Sequence, residues 1–208
     1  MKIGIIGTGN VGNALGKIFA NLGHEIMFGS RNPQKAIDIA NEIGTNTCGG
    51  SYSEAAKFGD LVILAVHWDA VKDSVQAAGN LSGKFLIDCV NPLAPRLSGL
   101  SIGLSTSAAE ELAKLTPGAK VVKAFNTTGT PNYFDPQFGS QKASGFICGD
   151  DKDAKSTVAK LVEEMGFDVI DAGPLKNARL LEPLAMLWID LAYVQGFGPN
   201  IAFKLLKR

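Results

Sequence analysis

A chain of 208 residues, 46% hydrophobic and 19% charged, can bury a sizeable core within one domain. Its 20 basic side chains balance 20 acidic ones, so no basic field exists to attract nucleic acid or an anionic membrane. Three widely spaced cysteines, Cys48, Cys89 and Cys148, suggest neither a disulfide framework nor a zinc site and read as small buried hydrophobes.

Short apolar runs alternate with helical spacing along the chain. Lys2–Ile6 reads as a strand, too short and too soon followed by glycine to be a targeting segment. Asn10–Leu22 carries Val11, Leu15, Ile18 and Phe19 on one helical face. Glu25–Gly29 is the next strand. Pro33–Ile43 is the next helix, with Pro33 in a first turn that needs no donor there. Leu61–Val66 is almost wholly apolar, as expected of a central parallel strand covered on both faces. Asp69–Ala78 reads as a helix and Phe85–Asp88 as a strand. Ser105–Leu115 reads as a helix capped by Thr106 or Ser107 before Glu110, and Val121–Phe125 as a strand. Phe146–Cys148 is a short strand, Asp153–Met165 a helix ended by Gly166, and Asp168–Asp171 a strand. Leu180–Tyr193 reads as a long helix, apolar almost all round, and Ile201–Leu206 as a short final one. The stretch from Leu184 to Val194 contains Asp190 and is too short and too polar to span a bilayer, so a cytoplasmic protein is expected.

This alternation predicts an α/β protein, a doubly wound and mostly parallel Rossmann sheet with helices on both faces. Residues 1–175 form it, and residues 176–208 add a small C-terminal helical element to the same compact unit. A helix apolar all round is either buried or covered by a second subunit. The C-terminal helix is read as a homodimer interface, with Arg179 and Glu182 three residues apart on it.

Gly7-Thr8-Gly9-Asn10-Val11-Gly12 matches G-x-G-x-x-G, directly after a strand and opening a helix. Gly7 allows the tight turn, Gly9 lets the backbone approach a pyrophosphate, and Gly12 lets the helix pack close to the strand. The second strand chooses the dinucleotide. An NAD site places an acid about 20 residues beyond the glycines, on the ribose 2′-hydroxyl. Here the strand ends in Gly29-Ser30-Arg31-Asn32, with a hydroxyl and a guanidinium and no acid. Arginine holds phosphate by paired charge-assisted bonds. Ser30 and Arg31, with Lys35 one helical turn on, therefore point to NADP(H).

The glycine turn with Gly29-Ser30-Arg31 resembles the NADPH-dependent oxidoreductases that reduce or oxidise the deazaflavin coenzyme F420, and the cytosolic reductase domain of six-transmembrane metalloreductases. The resemblance continues through Val122-Lys123-Ala124-Phe125-Asn126 and Cys148-Gly149-Asp150-Asp151. It extends to Asp171-Ala172-Gly173-Pro174-Leu175 with Asn177, Arg179, Leu180 and Glu182, and so covers nearly the whole chain. It implies NADP(H) across the strand ends, an acceptor ring (F420 or a flavin) stacked on the nicotinamide, and homodimers. It further implies that Val66, His67, Asn91 and Pro92 line the nicotinamide and ribose, and that Ala124 and Asn126 lie near the carboxamide or the acceptor. Phe125-Asn126-Thr127-Thr128 is closer to the metalloreductase type than to the deazaflavin type. No membrane-spanning run follows, so a metalloreductase role is not expected.

Ligands of doubly wound folds bind beyond the carboxyl ends of the strands. Ala65–Trp68, Val90–Pro92, Ala124–Thr127 and Asp171–Pro174 qualify. Hydride transfer needs stacking and orientation rather than a strong protein base, so no catalytic acid or base is assigned, with His67 and Asn126 the weak candidates. The expected function is hydride transfer between NADPH and a small-molecule acceptor, a deazaflavin or a flavin. The alternatives are a small-substrate NADPH dehydrogenase or imine reductase, and a non-catalytic NADP(H)-binding regulator. No metal is expected.

Overall fold

Side chains alternate across each short apolar strand, so a sheet of such strands has two faces to bury. The computed structural model describes residues 1–44 and 46–208. β1 (Lys2–Ile6) leads to α1 (Asn10–Asn21), β2 (Glu25–Gly29) to α2 (Pro33–Ile43), and β3 (Thr47–Gly50) to α3 (Tyr52–Phe58). β4 (Leu61–Leu64) leads to α4 (Val71–Ala78), and β5 (Phe85–Asp88) to α5 (Ala108–Leu115). After β6 (Lys120–Lys123) come the single turn α6 (Pro131–Phe134) and a small hairpin, β7 (Gln137–Phe138) and β8 (Gln141–Lys142). β9 (Ser144–Gly149), α7 (Lys152–Glu164), β10 (Asp168–Asp171) and α8 (Ala178–Ile189) follow.

The main sheet has the order β10-β9-β6-β5-β4-β1-β2-β3. β1 to β6 are mutually parallel, in the arrangement of a dinucleotide-binding fold. β9 joins β6 antiparallel, through Val122↔Gly149 and Lys123↔Cys148, and β10 pairs with β9 in parallel. Ile3, Ile5, Ile26, Ile63, Ile87 and Val122 pack on one face with residues of α1, α2 and α7. Ile6, Val62, Leu64, Leu86 and Val121 pack on the other with residues of α3, α4, α5 and α8. The two lists alternate along each strand, which is the period-two rule at work.

Several boundaries differ from the sequence reading. The strands read as Leu61–Val66 and Val121–Phe125 end at Leu64 and Lys123. β3, α3, α6 and the β7–β8 hairpin had no clear signal, because Thr47-Cys48-Gly49-Gly50 is too small and polar to read as a strand. Ser107, of the two candidates, caps α5 by accepting from the Glu110 N–H at 3.2 Å. The C-terminal helix begins at Ala178 and passes at Asp190–Val194 into a wider π turn.

The final helix expected over Ile201–Leu206 does not form. That segment is too short to offset helix nucleation, and its backbone bonds elsewhere. The Trp188 Nε1–H donates to Ile201 O at 2.6 Å, and the Ser144 N–H donates to Phe203 O at 2.9 Å. The Leu205 N–H donates to Ser144 Oγ at 3.0 Å. The tail is thus an extended strap along the start of β9. Cys89 and Cys148 are buried, and loss of solvent pushes both thiols upward, Cys148 to about 12. Both are therefore packing groups without nucleophilic character.

Candidate functional site

β1 runs straight into the glycine turn. Gly7 has φ +118°, and a Cβ there would lie 2.2 Å from Ala65 O. Its N–H donates to Gly29 O at 3.0 Å, fastening the turn to the tip of β2. A Cβ on Gly12 would lie 2.1 Å from Gly7 O. Only glycine therefore lets α1 start this close to the strand. Gly9 is the residue before α1, and a Cβ there would meet nothing within 4 Å. α2, α3, α5 and α7 are each capped by a side chain, from Asn32, Ser51, Ser107 and Asp151. α1 has no such cap and no acid in its first turn, which leaves its amide donors and dipole for an anion. Thr8 is half-buried, and Asn10 and Val11 form the first turn. We predict that Gly12→Ala abolishes measurable dinucleotide binding and lowers the melting temperature. Calorimetric titration with unchanged affinity would show that the close approach is dispensable.

Ser30 lies beside this turn. Its N–H donates to Gly50 O at 3.0 Å, and its hydroxyl oxygen accepts from the Asn32 N–H at 3.2 Å. Asn32 rather than Ser30 caps α2, so the Ser30 hydroxyl proton remains free to donate. Arg31 and Lys35 are exposed and make no side-chain hydrogen bond or ion pair among the described residues. A hydroxyl and two cations thus flank the tip of β2, with no carboxylate at that tip.

At the tips of β4, β5 and β6 the candidate residues converge. Val66 is half-buried, and His67 is exposed and opens the short turn Trp68–Ala70. Pro92 is buried behind Asn91. Asn91 and Asn126 hold each other. Asn126 Nδ2 donates to Asn91 Oδ1 at 3.0 Å, and Asn91 Nδ2 donates to Asn126 O at 3.1 Å. Asn126 Nδ2 also donates to Leu181 O of α8 at 3.1 Å, so both its donors are used. Asn126 Oδ1 is buried without a hydrogen-bond partner, an uncommon and costly state for an amide oxygen. Between buried Ala124 and Asn126, Phe125 takes φ +60°, a conformation that a bulky side chain adopts only when its surroundings enforce it. The Tyr133 hydroxyl donates to Phe125 O, and the Phe125 ring packs edge-on against Phe19 and Tyr133. The reversal turns Asn126 out of the strand direction.

Beneath these tips lies a buried charge cluster. Lys123 Nζ contacts Asp88 Oδ2 at 2.9 Å and Glu182 Oε1 at 2.8 Å, and donates to Val90 O. All three side chains are at most 1% exposed. Glu182 also receives the Ala108 N–H at 2.9 Å and the Ala109 N–H at 3.2 Å, so a residue of α8 caps α5. The Val90 N–H donates to Asp88 Oδ1 at 2.9 Å. Burial works against the Lys123 ammonium, but Asp88 and Glu182 outweigh it and keep the group charged. Burial pushes the Glu182 carboxyl up, and Lys123 opposes that rise.

Sequence reasoning had not singled out this cluster. The available signal was a lysine inside the apolar run Val121-Val122-Lys123-Ala124-Phe125, which demands a buried counter-charge. Two further expectations are corrected. Arg179 does not face Glu182. Its guanidinium grips Glu110 with two bonds of 2.8 and 2.7 Å, while Glu182 points inward to Lys123. Asp171–Pro174 does not share the carboxyl edge, because β9 and β10 run against the other six strands. There Asp171 pairs with Lys155 at 2.9 Å. His24, 8% exposed, is bonded to Glu164 at 2.8 Å and to the N-terminal amine at 3.2 Å, and precedes β2 at the end opposite the glycine turn.

This geometry agrees with what the chain is similar to. A family described as NADP oxidoreductase, coenzyme F420-dependent, matches residues 2–92. The F420-dependent NADP reductase of Methanothermobacter marburgensis is 32% identical over 92% of this chain and 92% of its own. The chain belongs to the coenzyme F420-dependent NADP oxidoreductase family. An Arthrobacter sp. FB24 crystal structure classed with F420-dependent NADP-reductases covers 100% of both chains at 32% identity, with a TM-score of 0.91. Metalloreductase STEAP3 of Rattus norvegicus is also 32% identical over 89% of this chain, but the match spans only 37% of that protein. The residues present fit the dinucleotide in the family's name. The uncapped α1 and the space over Gly9 suit a pyrophosphate, and the Ser30–Arg31 tip suits a further phosphate. The unpaired Asn126 acceptor suits an amide donor. Among the described residues no helix is long and apolar enough to cross a membrane, and no group of three or more metal-ligating side chains occurs.

Proposed function

We propose that the protein transfers hydride between NADP(H) and a deazaflavin of the coenzyme F420 type. The observation that carries this reading is the uncapped glycine turn fastened beside Ser30 and Arg31, with no acid at the tip of β2. When bound, the nicotinamide supplies or accepts two electrons and one proton as a hydride. The chain's own residues bind and orient. Amide donors of α1 take the pyrophosphate, and Ser30, Arg31 and Lys35 take the 2′-phosphate. Val66, His67, Asn91 and Asn126 form the wall beside the reacting rings, backed by the buried Pro92 and Ala124, while Thr8 belongs to the glycine turn. Hydride passes directly between the two stacked rings, and the one proton that the deazaflavin gains or loses alongside it is exchanged with solvent, so no side chain is required to carry it.

The test is to mix the purified protein with NADPH and follow its absorbance with F420, FMN, a ferric chelate, small carbonyls and imines in turn. Turnover with F420 supports the reading. Turnover confined to FMN replaces the deazaflavin by a flavin. Turnover confined to a carbonyl or imine moves the protein to the small-substrate reductases. Tight NADPH binding without turnover on any of them makes it a regulator.

A homodimer through the C-terminal segment belongs to the same proposal. Leu180, Leu187, Tyr193, Val194 and Phe197 are 49–69% exposed on and just after α8, an apolar surface that a second copy would cover. Sedimentation equilibrium reads this directly, and a monomer at micromolar concentration rejects it. The cytoplasm is the expected location.

A further inference from the structure

The Asp88–Lys123–Glu182 cluster carries two carboxylates and one ammonium, all buried, at the carboxyl ends of β5 and β6. Its formal charge is therefore one unit negative. Hydrogen bonds from Ala108 and Ala109 hold the Glu182 carboxylate in a fixed position, and one from Val90 does the same for Asp88. The other charged pair on this side, Arg179 with Glu110, is neutral as a unit. The positive end of α5 offsets part of the excess, about half a charge at most. A residual negative charge thus sits directly under Val90–Asn91 and Ala124–Asn126, in a medium that screens it poorly.

The two forms of a nicotinamide dinucleotide differ in charge at the ring that belongs over these tips. The oxidised ring is cationic and the reduced ring is neutral. We propose that the buried Asp88–Lys123–Glu182 cluster sets the balance between oxidised and reduced dinucleotide, holding the cationic ring more tightly than an uncharged cluster of the same shape would. The direction of net hydride flow at given concentrations then depends on residues that touch neither ring. The inference rests on the proposed NADP(H) reading.

Its test measures dissociation constants for NADP+ and NADPH separately, on the full chain, by calorimetry or intrinsic fluorescence. Glu182→Gln removes one negative charge while keeping the side chain's size and an acceptor for Lys123. It should weaken NADP+ relative to NADPH roughly 3- to 10-fold, the scale of one unit charge removed about 12–25 Å away at an effective dielectric near 20. Asp88→Asn removes the other carboxylate and must shift the ratio in the same direction, so the inference stays testable if one variant misfolds. Thermal melts identify which variants are folded. Loss of both affinities by the same factor, or no change in their ratio, overturns the inference and leaves the cluster a structural clasp. Failure of the wild type to bind either form overturns the NADP(H) reading as well, whereas equal shifts leave that reading intact.

Discussion

Lys123→Met destabilises the protein by about 3–5 kcal/mol, the usual cost of breaking a buried ion cluster by removing one member. Asp88 and Glu182 would then face each other with no cation between them, both at 1% exposure or less. Val90 O would also lose the donor that holds the turn at Asn91. For a chain of this size the melting temperature should fall by roughly 10 °C. Urea denaturation measures the loss, and a change below about 1 kcal/mol would mean that the cluster rearranges or hydrates.

The pH dependence has a definite sign. Burial raises the folded-state pKa of Glu182 above its unfolded value, and Lys123 works against that rise. Such a group contributes stability below its unfolded pKa, and that contribution disappears as pH rises through the folded pKa. Removing Lys123 pushes the carboxyl further up. The deficit of Lys123→Met should therefore be smaller at pH 5 than at pH 8. A pH-independent deficit would mean that packing, not charge, dominates. Apolar replacement of all three residues would not simply restore stability, because Glu182 also caps α5 through Ala108 and Ala109.

Arg31→Ala should weaken NADPH binding by 10- to 1000-fold and NADH binding far less. Each charge-assisted bond to phosphate is worth roughly 1.5–3 kcal/mol, and a guanidinium can make two. Arg31 is exposed and engages no side chain among the described residues, so the substitution leaves the fold intact and affinity is the clean readout. Ser30→Ala acts at the same tip with a smaller loss, since one neutral hydroxyl is removed. Titrations in which Arg31→Ala lowers both affinities equally would move the 2′-phosphate contact elsewhere.

The glycine turn and the tip of β2 were legible in the chain. Glycine spacing and the residues at a strand's end are local properties. Backbone freedom at Gly7 and close packing at Gly12 have no substitute in any other residue type, so the motif and the geometry coincide. The tips of β5 and β6 were less legible. Asn91 and Asn126 are 35 positions apart and share two hydrogen bonds, and Asn126 is held in turn by Leu181. Phe125 gives no sign in sequence of its left-handed turn, because phenylalanine does not favour it. Tertiary contacts with Phe19 and Tyr133 impose it.

The sequence by itself determined the alternating α/β pattern, five of the six parallel strands (all but β3), the glycine turn and the absence of an acid at the tip of β2. Those follow from hydrophobic period, glycine and charge, which act over a few residues. Only the tertiary structure decided that β9 and β10 reverse, which takes Asp171–Pro174 off the carboxyl edge. It also decided that Arg179 serves Glu110 while Glu182 turns inward, and that the tail is a strap and not a helix. In each case the deciding energy is the pairing of a buried charge or backbone group with a partner tens of residues away. No local pattern encodes that pairing.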